Sequence, residues 1–218
     1  MLRGAIYARL AASQVLSEHP LELSIYSQMP LHARSAIGIA TMNMQSLHEG
    51  IKDGDLEKVK ALLKDNPDLV FSKDNAGWTP LHFAAHYGHE TVVELLLANK
   101  AEVNGKTDAG PTALHFAAGN GHKSVVELLL ANKAQVNVRD NEGGTPLHFA
   151  AGNGHKAVAE LLLANKAEVN AKDNDGRTPA DIAYENSPFV ACGSAGLYMA
   201  ASERHRAVAE LLRQQGGQ

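Results

Sequence analysis

The stretch Gly143-Gly144-Thr145-Pro146-Leu147-His148-Phe149-Ala150-Ala151-Gly152-Asn153-Gly154-His155 decides how this chain folds. Close copies run over Gly77–His89 (GWTPLHFAAHYGH) and Gly110–His122 (GPTALHFAAGNGH), and a weaker copy, GRTPADIAYEN, opens at Gly176. Their threonines stand at Thr79, Thr112, Thr145 and Thr178, each 33 residues after the last. The units Thr112–Gly144 and Thr145–Arg177 differ at only eight of 33 positions, so the repeat reads as a recent internal duplication.

Elementary stereochemistry turns one unit into a structure. Asp140-Asn141-Glu142-Gly143 is a turn signal, with glycine supplying the left-handed position. Thr145 suits a helix N-cap and Pro146 the first helical position, where a missing N–H costs nothing. Leu147, Ala150 and Ala151 follow at helical spacing until Gly154 breaks the helix. Val158, Leu161 and Leu162 then share one face of a second helix that ends near Asn165. Two helices this short cannot bury such faces alone, so the copies must stack into a solenoid.

A unit reading Asp-x-x-Gly-x-Thr-Pro-Leu-His, then Ala-Ala, Gly-His, a Val/Leu-rich run and Val-Asn resembles the ankyrin repeat. The resemblance covers roughly Met44 to the C-terminus. It implies an all-α ankyrin-repeat solenoid, helix-turn-helix pairs linked by short β-hairpin turns, with a non-enzymatic, protein-binding role. The expected organisation is a poorly ordered leader over 1–43, a capping unit over 44–75, repeats over 76–108, 109–141 and 142–174, and a last unit over 175–218. The capping unit keeps the register through Leu47, His48, Gly54, Val59, Leu62 and Leu63 but lacks the Thr-Pro start. In the last unit Ala183 aligns with Ala150 while Val208 aligns with Val158, a spacing of 50 residues that places a 17-residue insertion near 187–203. Helical spacing from Leu197 onward predicts a final helix about two turns longer than its counterparts; a loop is the competing reading. The family's glycine after the second helix is replaced by Lys100, Lys133 and Lys166. Either these lysines or the preceding Asn99, Asn132 and Asn165 adopt the left-handed conformation.

Composition excludes several function classes. The formal charge of −4 over 218 residues gives no basic excess for nucleic acid. A single cysteine rules out an internal disulfide and any thiolate-rich metal site. There is no apolar run long enough for a membrane span. The leader, with Arg3 and Arg9 ahead of the first acid at Glu18, faintly resembles an organelle transit peptide; otherwise a cytoplasmic location is expected.

Histidine is the conspicuous residue, with 11 in the chain. His82, His115 and His148 follow the repeated leucine, and His89, His122 and His155 follow the repeated glycine; His48 and His205 align with these two classes. Their recurrence in every unit favours hydrogen bonding to turns and threonines over metal ligation, so no metal or cofactor is expected. Catalysis has little to stand on. Cys192-Gly193-Ser194-Ala195-Gly196 is the nearest approach to a nucleophile motif and lacks its strand–turn–helix setting.

Binding is the reading that remains. In the proteins this chain resembles, partners are held by hairpin fingers and the exposed face of the first helices. The corresponding residues are Lys73, Asn75, Trp78, His86 and Tyr87; then Lys106 and Asp108; then Arg139, Asn141 and Glu142; then Lys172, Asn174 and Tyr184. Trp78, His86 and Tyr87 form the aromatic group, an anchor for a protein partner or a cover for the neighbouring finger. The row Lys73, Lys106, Arg139 and Lys172 is interleaved with acids and reads as a solvated edge. A monomeric interaction scaffold or adaptor is expected, with an inhibitor or regulatory subunit of a separate enzyme as the alternative.

Overall fold

The computed structural model describes residues 31–186 and 195–216. Two compact units divide it, Met1–Leu69 and Val70–Gln218. In the first, α1 (Leu31–Lys52) and α2 (Leu56–Asp65) pack through Leu47, Ile51, Val59 and Leu63. Asp55 caps α2 by accepting the Lys58 N–H at 2.9 Å. A short 3-10 turn, Pro67–Phe71, follows. Residues 31–43, expected within an unordered leader, are instead part of α1. No proline interrupts Leu31–Lys52, so the helix of the capping unit propagates backward past Met44. Residues 1–30 lie outside the described residues.

The second unit is a stack of helix pairs: α3 (Pro80–Tyr87) with α4 (Glu90–Ala98), α5 (Ala113–Gly119) with α6 (Lys123–Ala131), α7 (Pro146–Gly152) with α8 (Lys156–Ala164), and α9 (Pro179–Glu185) with α10 (Ala195–Gln214). First helices pack on first helices, and second on second. Leu114, Ala117, Ala118, Val125, Val126 and Leu129 are wholly buried, and the equivalent residues of the neighbouring repeats match them. The alanines allow two helices of seven to nine residues to approach closely. The last helix opens at Ala195, two residues before the predicted Leu197, and brings Val208 and Leu212 into the register of Val158 and Leu162. The other part of the insertion, 187–194 with Cys192, lies outside the described residues.

The fingers are tighter than β-hairpins with paired strands. The Asp140 N–H donates to the Gly144 carbonyl at 2.9 Å, and the Asp140 carboxylate accepts the N–H groups of Glu142 and Gly144. Asp74 and Asp173 repeat this arrangement. With the backbone committed to turn closure, no strand ladder forms among the described residues; Lys106 and Thr112 make an isolated antiparallel bridge.

Histidines fasten each repeat to the next. The Thr79 N–H and hydroxyl both meet His82 Nδ1, at 2.9 and 2.8 Å, so this nitrogen is the acceptor. Nε2 therefore carries the proton and donates to the Gly105 carbonyl, on the approach to the next finger, at 2.9 Å. His115 does the same between Thr112 and Gly144, and His148 between Thr145 and Arg177. The second class of histidine reaches backward. His122, His155 and His205 donate from Nε2 to the carbonyls of His86, Gly119 and Gly152 at the ends of the preceding first helices. The junctions bridged by His115 with His155 and by His148 with His205 thus have one imidazole pointing forward and one pointing back, and His122 reaches back across the junction before them.

The choice left open at the helix ends is settled in favour of lysine. Lys100, Lys133 and Lys166 have φ of 66–67°. The preceding asparagines keep a negative φ and donate side-chain N–H bonds to the Leu95, Leu128 and Leu161 carbonyls. That local bond occupies the asparagine and passes the strain to the lysine.

Two predictions follow from these features. Burial pushes the pKa of His82 and His115 down to about 4, against the opposing pull of the Gly105 and Gly144 carbonyls; burial lowers His148 as well. The unfolded chain takes up these protons below about pH 6.5, whereas the native state does so only near pH 4. Stability is therefore complete above about pH 6.5 and falls as pH drops through that window, by about 3 kcal/mol for each of His82 and His115. Urea denaturation across the window measures this, and a flat profile contradicts it. Second, replacing Lys100, Lys133 or Lys166 by glycine relieves left-handed strain and raises unfolding stability by about 0.5–1 kcal/mol per site, measured by the same denaturation.

Candidate protein-binding face

The fingers of the second unit form a row held by their own backbones. The N–H groups of Asp108, Asn141 and Asn174 donate to the carbonyls of Ala76, Ala109 and Glu142, at 3.1, 3.2 and 2.9 Å. Glycine at the fingertip is required, because a Cβ on Gly143 would fall 2.5 Å from the Asn174 side chain. Three of the expected binding residues are employed in this row. Asn141 and Asn174 donate their amides to the Asp108 and Asn141 carbonyls, and Lys106 Nζ donates to the Arg139 carbonyl at 2.7 Å. Lys73, Asn75, Asp108, Arg139, Glu142 and Lys172 are exposed along the same edge.

The aromatic residues converge as the sequence implies. Trp78 stacks on Phe116 with ring centroids 4.1 Å apart and leans on Phe83 at 5.0 Å. His86 meets Trp78 and Tyr87 edge-on at 5.6 and 5.0 Å, and its Nδ1 accepts from the Asn120 amide at 3.1 Å. Burial, aided by the neighbouring His122, lowers the His86 pKa and favours the neutral ring. Trp78 is half-buried and covers the next repeat's first helix rather than its finger. Tyr87 projects further into solvent.

Tyr184 sits elsewhere. By the 33-residue register it occupies the position of Ala85, Ala118 and Ala151, one residue short of the His86 row. The Arg213 guanidinium of α10 lies 4.5 Å above its ring. Glu185 holds the His86 position and faces Arg177, which holds the Trp78 position; Arg177 also pairs with Asp173 and Asp175, each at 2.9 Å. Burial alone would raise the Asp173 carboxyl, but the hydrogen bonds from Arg177 outweigh it and hold the group below its usual range.

Sequence reasoning missed one component. Phe83, Phe116, Phe149 and Ile182 recur at a single first-helix position and are half-buried, forming an apolar stripe beside the fingers. The available signal was a large apolar residue repeating every 33 residues between the buried leucine and the buried alanine pair.

A family model described as ankyrin repeats matches in three copies, over 47–140, 99–173 and 133–192. The chain belongs to the ankyrin repeat family. Among curated proteins, human protein phosphatase 1 regulatory subunit 27 is 36% identical over 69 residues, covering 30% of this chain and 44% of that protein. The Notch-regulated ankyrin repeat-containing protein of Xenopus tropicalis is 42% identical over 57 residues, 26% of this chain and 48% of that protein. The 2-5A-dependent ribonuclease of Mus musculus is 39% identical over 57 residues, 26% of this chain and 8% of that protein. The matched segments span less than half the length of these relatives. Ankyrin repeats are protein-interaction modules, generally without enzymatic activity. Among the described residues, no helix is long and apolar enough to cross a membrane, and no group of three or more His, Cys, Asp or Glu is placed to hold a metal ion.

The packing separates two side chains that the sequence groups together. Trp78→Ala removes the stack on Phe116 and lowers stability by about 2 kcal/mol. Tyr87→Ala, at the exposed rim, changes it by less than about 0.5 kcal/mol. Equal effects in thermal or urea unfolding contradict this division.

Proposed function

We propose that the chain is a non-enzymatic scaffold or adaptor that binds a protein partner through its finger edge and first-helix face. The observation that carries this reading is the preformed surface. The finger row is tied by its own backbone bonds, so Lys73, Asn75, Arg139, Glu142 and Lys172 are offered without a large ordering cost. Beside them runs the half-buried apolar stripe of Phe83, Phe116, Phe149 and Ile182, ending at the aromatic group of Trp78, His86 and Tyr87.

A second reading, that the partner is an enzyme and this chain its regulatory subunit or inhibitor, draws on the similarity to a phosphatase regulatory subunit. The two differ in consequence. A regulator changes the turnover of the captured protein when the purified chain is titrated in, and a scaffold leaves it unchanged.

Tyr87→Ala supplies the test. Being exposed, it leaves the fold intact, and it weakens an identified partner by about tenfold, in keeping with aromatic residues as interface hot spots. Affinity measured by titration calorimetry decides the matter: unchanged binding in Tyr87→Ala discards the aromatic anchor, and unchanged binding in an Arg139→Ala, Glu142→Ala variant discards the finger edge.

A further inference from the structure

The apolar stripe is unevenly covered. At its start Trp78 lies over Phe83 and Phe116, and His86 stands beside them. In the following repeats the Trp78 position holds Pro111 and then Gly144, and the His86 position holds Gly119 and then Gly152. Phe149 is bracketed by two of these glycines: a Cβ on Gly144 would come 3.2 Å from its ring, and one on Gly119 would come 3.3 Å. Ile182 has the same relation to Gly152, at 3.1 Å. The half-buried Phe149 therefore packs on the backbone at Gly119 and Gly144 and against the His115 ring, without the tryptophan and histidine side chains that stand over Phe116.

Charge along the same face is graded. Helices α3, α5 and α7 contain no Asp, Glu, Lys or Arg. The last repeat contributes Asp173, Asp175, Asp181 and Glu185 against Lys172 and Arg177. Asp173 is buried under Arg177, and Asp181 is occupied as the helix cap by the N–H and hydroxyl of Thr178. Asp175 and Glu185 share the one guanidinium of Arg177 and remain 73% and 58% exposed. With the fingers counted, the aromatic end carries the balanced pair Lys73 and Asp74, and the last repeat carries surplus negative charge.

We propose that this face takes an extended peptide segment of a partner protein, carrying an apolar anchor and a nearby lysine or arginine. The anchor rests on Phe149 between Gly119 and Gly144, and the basic side chain pairs with Asp175 and Glu185. The assignment rests on the binding-face reading above and adds the chemistry and direction of the bound segment. Apolar contact supplies affinity, and the charge at one end fixes orientation.

The test pans a displayed random peptide library against the full chain and measures the enriched synthetic peptides against two variants. Gly119→His places beside Phe149 the side chain that α3 already carries beside Phe116. The double variant Asp175→Lys, Glu185→Lys reverses the charge at exposed positions. The expected result is enrichment of peptides pairing an apolar residue with Lys or Arg, with affinity reduced about tenfold or more by each variant. Enriched peptides that are acidic or uncharged, weakened by Gly119→His and indifferent to the charge reversal, overturn the basic-segment proposal while the binding face stands. Peptides indifferent to both variants overturn the proposal and count against the face itself. A selection with no enriched motif also overturns the proposal.

Discussion

A buried, uncharged imidazole with both nitrogens engaged is the interaction on which the second unit depends. One nitrogen accepts from the threonine that starts its own helix, which closes the local capping box. The other donates to a carbonyl further along the chain, that of Gly105, Gly144 or Arg177, and the last two of these bonds cross into the next repeat. A single side chain therefore couples secondary structure within a repeat to packing between repeats. The last repeat shows the limit of the device. Asp181 replaces the histidine there and keeps the cap on Thr178.

The surface follows from this stacking. Once the junctions are set, the fingers fall within hydrogen-bonding reach of each other, and the row becomes rigid without strand pairing. First helices with no charged residue of their own then place Phe83, Phe116 and Phe149 side by side, as a direct result of translation by one repeat. Differences among the repeats give the face its character: Trp78 and His86 at one end, glycines in the middle, and Arg177 with its carboxylates at the other. The repeated residues build the fold, and the unrepeated ones distinguish the face.

Much of this was legible in the sequence because each signal was local and recurred. Thr-Pro, Gly-His and the 33-residue spacing identify the helix pairs, and histidine repetition points to a structural role. The less legible features depend on relations between repeats. That Asn141 and Asn174 hold the finger row could not be read from residues that also suit an exposed turn. The left-handed lysines depend on an asparagine side chain turning back onto its own helix. Tyr184 stands in the register of Ala85, and its Arg213 neighbour comes from a helix beyond an insertion.

The central claim is that neutral histidines of one tautomer fasten the repeats. Imidazole 15N NMR of the full chain at about pH 5, with His82 and His115 assigned, tests it most directly. The account predicts that both rings remain neutral and carry the proton on Nε2, at a pH where an ordinary histidine is charged. Charged rings, or a proton on Nδ1, would contradict it.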